Sequence, residues 1–356
     1  MMKIYRNIYL AIIALTLSTA IFIYSLYNLG LSKVSDDSIP RQVTIKRGNI
    51  NSIAETLYNN NMIRSKLAFN IYVRLNNKKK LLASTYNLSE NMGTKKIVEI
   101  LNKGKNSKRE VNLTFKEGIN IRKVATVISQ NTNHSEEEFY MLLKDENYLN
   151  TLINKYWFLG DEIKNPNIYY SLEGYLYPNT YEIANRDASI ESIIEKMLDE
   201  TNRKLSKYKL ALEKNNLSIH QIMTLASIVE LEGTNSENRK TIAGVFFNRL
   251  NNDMNLGSDV TTYYGVKVDM GERDLYSNEV NACNDYNTRC AKFKVLPISP
   301  ICNPSIDSVE AALYPKESEY YYFVADKNKK IYFSKDQKEH ADIIKELKKE
   351  GLWYEY

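Results

Sequence analysis

Two glutamates, Glu230 and Glu232, close the otherwise apolar run 224-TLASIVELEG-233. Carboxylates at the end of such a run are costly unless they are paired or put to use. A half-buried carboxylic acid keeps its proton toward neutral pH, and a general acid requires that property. The competing reading is structural. Either glutamate could swing out at a frayed last turn or pair with Arg239 or Lys240, because ion pairs also occupy such positions.

The element that must position them reads as a helix. Ser218 precedes it and Gln221 follows three residues later, the spacing of a capping box, while Gly233 supplies a stop. At about 100° per residue, Ile219, Ile222, Met223, Leu225, Ala226, Ile228 and Val229 fill one broad arc. Measured from Ile222, Glu230 falls at about +80° and Glu232 at about −80°, on opposite flanks of that arc. The pair is therefore badly placed to share one proton or one metal, and the wheel alone does not choose between them.

Other chemistries fit less well. The chain has no Gly-rich phosphate loop, no metalloprotease helix and no nucleophile elbow. Its three histidines, His134, His220 and His340, lie far apart in sequence. Cys283, Cys290 and Cys302 allow at most one intramolecular disulfide and make a poor zinc site, so neither metal nor cofactor is expected. A net charge of only +5 over 356 residues, with basic residues scattered apart from 76-NNKKK-80 and 103-KGKNSKRE-110, does not suggest nucleic acid.

The N-terminus points to a compartment. Between Asn7 and Ser32 there is no charged residue, and the stretch 8–29 is long enough to cross a bilayer. Lys3 and Arg6 precede it, so residues 1–7 should form a cytoplasmic tail and the chain beyond the span should be exported. A cleaved signal peptide is the main competitor, with 18-STA-20 as a weak site. The apolar run continues past it, which favours an uncleaved anchor followed by a linker over 30–40.

The exported chain reads as an α+β protein in two parts. A strand at 42–45, helices carrying Ile53, Ala54 and Leu57 and then Leu67, Ile71 and Leu75, a strand near 83–88, and a helix capped by Thr94 form a small unit over 41–103. Its expected core is Val43, Ile45, Ile53, Leu57, Leu67, Ile71, Ile97 and Leu101. The basic run 103–110 reads as a linker. A larger mixed unit over 111–350 follows, whose opening strand, Gly118 and helix look like a second copy of the arrangement around Gly48. Helices capped by Ser135 with Glu138 and over 189–198, a hairpin at 319–326 and 330–334, and a closing helix ending near Lys349 complete it.

Loops such as 173-EGYLYPNTY-181, 257-GSDVTTYYG-265 and 286-YNTR-289 concentrate Asn, Asp, Thr and Tyr, and the chain holds 27 tyrosines. Turn chemistry and strand packing explain most of these residues singly. Taken together around a buried acid they suggest a saccharide cleft.

At this point the ordered set "SLEGYLYPNTYEI", "LASIVELEG", "VFFNRL", "LGSDVTTYYG", "DYNTR", "LPISPICNPS", "EAALYP", "YYYFVAD" and the late "EH" resembles the endolytic murein transglycosylase, or YceG-like, family over nearly the whole exported chain. The small unit resembles that family's LysM-like subdomain. The resemblance implies lytic cleavage of peptidoglycan between N-acetylmuramic acid and N-acetylglucosamine, leaving a 1,6-anhydro end and terminating or trimming nascent strands. It implies Glu232 as the catalytic residue. Glu173, Tyr175, Glu230, Asn248, Ser258, Asp259, Tyr264, Tyr286, Asn287, Thr288 and Asn303 are the candidate substrate-binding residues. Glycan strands and the cytoplasmic membrane are the expected partners, and peptidoglycan synthases are candidates. Departures from the family pattern fall at Val260, Val295, Ile298–Ser299 and Ser305, and are expected to alter cleft loops rather than the acid. The alternatives are a noncatalytic, membrane-anchored wall-binding scaffold, and a hydrolase that recruits Glu230 or Glu173 as a further carboxylate.

Overall fold

The apolar N-terminal segment forms one helix, α1 (Met2–Leu31), of which Ile12–Leu31 is long and apolar enough to cross a membrane and has its apolar side chains largely exposed. It has the length and composition of a membrane anchor or a signal sequence. The computed structural model describes residues 2–76, 78, 81–103 and 111–353, without the side chains of residues 2–8 and 11. Most of the two basic runs, 76–80 and 103–110, lies outside the described residues. The chain divides into two compact units, Met1–Val111 with Ala184–Arg186, and Asn112–Ile183 with Asp187–Tyr356.

In the first unit β1 (Arg41–Ile45) pairs antiparallel with β2 (Ser84–Leu88), Val43 facing Tyr86. Between them run α2 (Ile50–Asn59) and α3 (Lys66–Leu75), and α4 (Gly93–Lys103) follows β2. The caps are local. Asn49 Oδ1 accepts from Ser52 N at 2.9 Å, and Ser65 Oγ accepts from Ala68 N at 3.2 Å. Val43, Ile45, Ile53, Leu57, Ile97 and Leu101 are buried in one cluster, as the periodicity requires.

Two sequence expectations fail here. Leu67, Ile71 and Leu75 recur at helical spacing but lie on the outer face of α3, with Leu67 70% and Leu75 76% exposed. The inner face is Ala68, Phe69 and Val73, whose own i, i+4 spacing competes with the leucine row and packs into the core instead. Thr94 is not the cap of α4. It is buried inside the first turn, and its hydroxyl finds no partner among the described residues.

The second unit begins with β3 (Val111–Thr114), which pairs with β4 (Thr180–Ile183), their Thr114 and Thr180 hydroxyls 3.0 Å apart. The glycines of the suggested internal repeat differ: Gly118 has φ +74°, whereas Gly48 is not left-handed. Helices α5 (Ile121–Asn131), α6 (Glu136–Leu142) and α7 (Glu146–Lys155) lie between the strands. Ser135 and Glu138 form the capping box of α6.

After β4 come α8 (Ile190–Leu205), the short α9 (Lys209–Glu213) and α10 (Ile219–Glu232), then α11 (Ser236–Asn251) and α12 (Asp259–Gly265). The last elements are α13 (Ser277–Val280), α14 (Ile306–Leu313), the antiparallel hairpin β5 (Tyr322–Ala325) and β6 (Ile331–Ser334), and α15 (Gln337–Lys349), which packs on that hairpin. Helix α10 is buried on nearly every side, from Ile222 to Glu230, and packs against α11 and α14. A helix apolar all round belongs in the middle of a unit, and the glutamates end that helix.

Candidate active site

Helix α10 starts as its sequence prescribes. Ser218 Oγ accepts from Gln221 N at 3.2 Å and Gln221 Oε1 accepts from Ser218 N at 2.9 Å. It stops at Gly233, whose N–H donates to Val229 O at 2.9 Å. At this stop the two glutamates part company.

Glu230 is held entirely by protein groups. Its side chain is 4% exposed, and its Oε2 accepts from Ser305 N at 3.0 Å, Ser305 Oγ at 2.6 Å and Ser308 Oγ at 2.6 Å. Its Oε1 accepts from Arg239 Nη2 at 3.0 Å, and Arg239 also reaches Asp307 at 2.7 Å. The pairing with Arg239 raised for either glutamate therefore applies to Glu230, where it joins α10, α11 and α14.

Glu232 is half-buried and has a different neighbourhood. Ser258 Oγ donates to its Oε1 at 2.5 Å. Loss of hydration pushes its carboxyl up to about 6; the Ser258 bond opposes this, and the Asp259 charge adds to it. It opens onto a cleft of about 390 Å³ whose lining includes Asp259, Arg249, Arg289, Phe323, His340 and Trp353.

The cleft wall is built by two cross-bonded loops. Gly257 takes φ +62°, which a side chain disfavours, and turns the chain so that Ser258 faces Glu232. Ser258 N donates to Thr288 Oγ1 at 3.0 Å, and the Thr261 and Thr288 hydroxyls lie 2.8 Å apart. Asp259 pairs with Arg289 through both carboxylate oxygens. A disulfide between Cys283 and Cys290 closes the loop that carries Thr288 and Arg289, leaving Cys302 free and buried.

The opposite wall is basic and aromatic. Arg249 donates to the carbonyls of Tyr321 (2.6 Å) and Leu256, and its guanidinium sits 5.1 Å from the Tyr322 ring centroid. His340 stacks on Tyr322, its Nδ1 lacks a hydrogen-bond partner among the described residues, and burial lowers its pKa, which favours the neutral ring.

Of the expected binding residues, Ser258 bonds Glu232, Asp259 lines its cleft, and Thr288 stands behind Ser258. The others lie within the fold. Tyr175 bonds His220 Nδ1 at 2.9 Å, and Tyr286 bonds the Ser299 hydroxyl at 2.9 Å. Asn248 donates to the carbonyls of Ser318 and Tyr320, and Asn303 to that of Ile119 at 2.9 Å. Asn287 accepts from Thr262 Oγ1 at 2.7 Å and donates to Val280 O at 3.0 Å. These side chains hold loops together.

Glu173 also stays within the fold. It is buried and accepts from Ile121 N at 3.0 and 3.1 Å and from the Tyr264 hydroxyl at 3.0 Å. Burial pushes its carboxyl up to about 8. It does not line the Glu232 cleft, and Asp259 is the other carboxylate that does.

Sequence reading missed Arg249, Arg289, His340 and Trp353 as cleft residues. Arg289 stood inside a quoted loop and His340 inside the late "EH", but nothing local says that they face one acid. The departures from the family pattern divide, one falling on the cleft as expected. Val260 lines the cleft, whereas Ser305 donates to Glu230 and Val295 is exposed.

Comparison with known proteins adds a family. The model of the YceG-like family matches residues 43–346. The chain is 34% identical over 292 residues to the endolytic murein transglycosylase of Bacillus subtilis (strain 168), covering 82% of this chain and 80% of that protein. It is 31% identical over 312 residues to the endolytic murein transglycosylase of Streptococcus pneumoniae serotype 2, covering 84% of this chain and 56% of that longer protein. A crystal structure of a yceG-like protein from Listeria monocytogenes superposes with TM-score 0.61 at 34% identity, over 85% of this chain and 99% of that one.

Proposed function

The chain belongs to the YceG-like family, and from that membership we infer that it is a peptidoglycan lytic transglycosylase in which Glu232 carries the proton. The single observation behind the residue choice is the contrast within one helix turn. Glu230 spends its oxygens on Ser305, Ser308 and Arg239, whereas Glu232 faces the cleft with a carboxyl pushed up to about 6.

The chemistry needs one acid. Protonated Glu232 donates to the oxygen joining N-acetylmuramic acid to N-acetylglucosamine as that bond breaks. The resulting carboxylate then takes the proton of the muramic acid 6-hydroxyl as O6 closes on C1. The bond lost is C1–O4, the bond gained is C1–O6, and Glu232 ends protonated. Ser258 steadies the carboxylate through its hydrogen bond.

A second reading rests on Asp259, a carboxylate on the same cleft. A glycosidase with two carboxylates activates water and leaves a reducing sugar. The bidentate pairing with Arg289 argues against that role, because both carboxylate oxygens are already engaged by the guanidinium. Mass analysis of peptidoglycan digested by the purified chain separates the readings. Anhydro-muramic ends are expected. Reducing ends would transfer the reaction to hydrolysis, and no released product would leave only a wall-binding scaffold.

The same proposal places the chain in the cytoplasmic membrane with α1 as an uncleaved single span and the cleft outside, working on nascent strands beside the synthases. Lys3 and Arg6 ahead of the apolar run carry the orientation. Protease added to spheroplasts should degrade the C-terminal unit. A protected C-terminal unit would reverse the topology.

A further inference from the structure

A second cavity of the second unit lies apart from the one at Glu232. It encloses about 610 Å³ between α6, α7 and the loop before Glu173, and its walls combine tyrosines with lysines. Tyr140 and Tyr170 stack with centroids 5.6 Å apart and planes at 28°. Lys144, Lys164 and Lys267 line it against one carboxylate, Glu146.

The lysines differ in how they are occupied. Lys164 is paired with Asp161 at 2.6 Å and donates to Asn150 Oδ1 at 2.9 Å. Lys144 and Lys267 have no carboxylate partner among the described residues. Lys267 instead holds its ammonium 4.3 Å from the centroid of Tyr169. Its backbone has φ +59°, a left-handed conformation that disfavours a side chain and that glycine or asparagine would take more easily. That conformation closes α12 with a Schellman cap, Lys267 N donating to Tyr264 O and Val268 N to Tyr263 O, each at 3.0 Å, and it leaves the Lys267 side chain on the cavity wall.

The cavity is tied to the acid by one short helix. Helix α12 begins at Asp259, on the Glu232 cleft, and Lys267 lies two residues past its end at Gly265. Seven residues of α-helix span about 10 Å, the reach of one or two sugar rings. Tyr264 near that end stacks on Tyr169 of the cavity wall with centroids 5.8 Å apart.

We propose that this cavity is a second subsite, taking the peptide-bearing part of the glycan strand beyond the scissile bond, with tyrosine faces against the amide-rich saccharide and stem peptide and with Lys144 and Lys267 on the peptide carboxylates. Aromatic walls suit sugar and peptide faces, and unpaired ammonium groups suit carboxylates. The proposal rests on the lytic reading for its choice of ligand.

The test uses the full-length chain in detergent and compares it with Lys144→Gln/Lys267→Asn, where asparagine tolerates the left-handed backbone. Each protein is given uncrosslinked strands with stem peptides and the same strands stripped of peptide by an amidase. Equilibrium binding of both strands is measured beside cleavage. The double variant is expected to raise KM and Kd about tenfold for peptide-bearing strands, with kcat little changed and stripped strands unaffected. Unchanged values for both strands, or equal losses on both, would overturn the subsite. If the wild type cleaves neither strand, the lytic reading fails, and the binding difference between the strands still decides the cavity.

Discussion

Glu232→Gln loses anhydro-product formation by about 10²–10⁴-fold while the protein still folds and binds glycan, because glutamine fills the same space but can neither give nor take the proton. Ser258 Oγ, 2.5 Å from the carboxylate, can still bond the amide oxygen, so the cleft wall keeps its shape. The pH profile carries the same signature. Since the acid form must start the reaction and its carboxyl is pushed up to about 6, wild-type kcat/KM should fall as pH rises past about 6. Stability has a matching sign. A carboxyl whose folded pKa is raised stabilises the fold relative to its ionised form below the unfolded value, and this is lost as pH rises through about 6. The glutamine variant lacks that loss. Anhydro-muropeptide yield and melting curves at several pH values read both effects, and a folded Glu232→Gln with near-normal yield would remove Glu232 from the chemistry.

Glu230→Gln should behave in the opposite way. The carboxylate is the meeting point of Ser305, Ser308 and Arg239, and the substitution turns an amide N–H toward groups that are themselves donors. Breaking a buried pair by removing one partner costs about 3–5 kcal/mol, and Asp307, which stays on Arg239, favours the lower end. For a unit of this size that lowers Tm on the order of 10 °C. Activity assayed well below the new Tm should persist at a reduced level. A variant that melts like wild type yet makes no product would show that Glu230 works on substrate rather than on the fold.

The contrast between these two residues marks how far sequence reasoning reached. The capping box, the apolar run and the stop of α10 follow from local rules and appear as read. Which glutamate turns inward does not follow, because it depends on Ser305 and Ser308, about 75 residues away, meeting one flank and Ser258 the other. On α3 the leucine row and the Phe69–Val73 face both satisfy helical periodicity, and only packing against the sheet decides between them. The Asn- and Tyr-rich loops were recognisable as a set. Single residues such as Tyr175 and Asn303 proved to bond the scaffold, since the same side chains that suit a sugar also close turns. Arg249, Arg289, His340 and Trp353 come from separate stretches and converge only through the tertiary fold.

The bond between Cys283 and Cys290 adds a condition on where the cleft is complete. It ties off the short loop bearing Thr288, which supports Ser258, and Arg289, which holds Asp259. Closing a loop of this length restricts the unfolded chain by about 2.5 kcal/mol in the chain-entropy account. Thiols stay reduced in the cytosol and pair in oxidising surroundings, so under the proposed topology a newly made chain carries this wall untied until it has crossed the membrane. On the topology proposed above, fastening of this wall follows export, and the oxidation state of two cysteines records whether it has occurred.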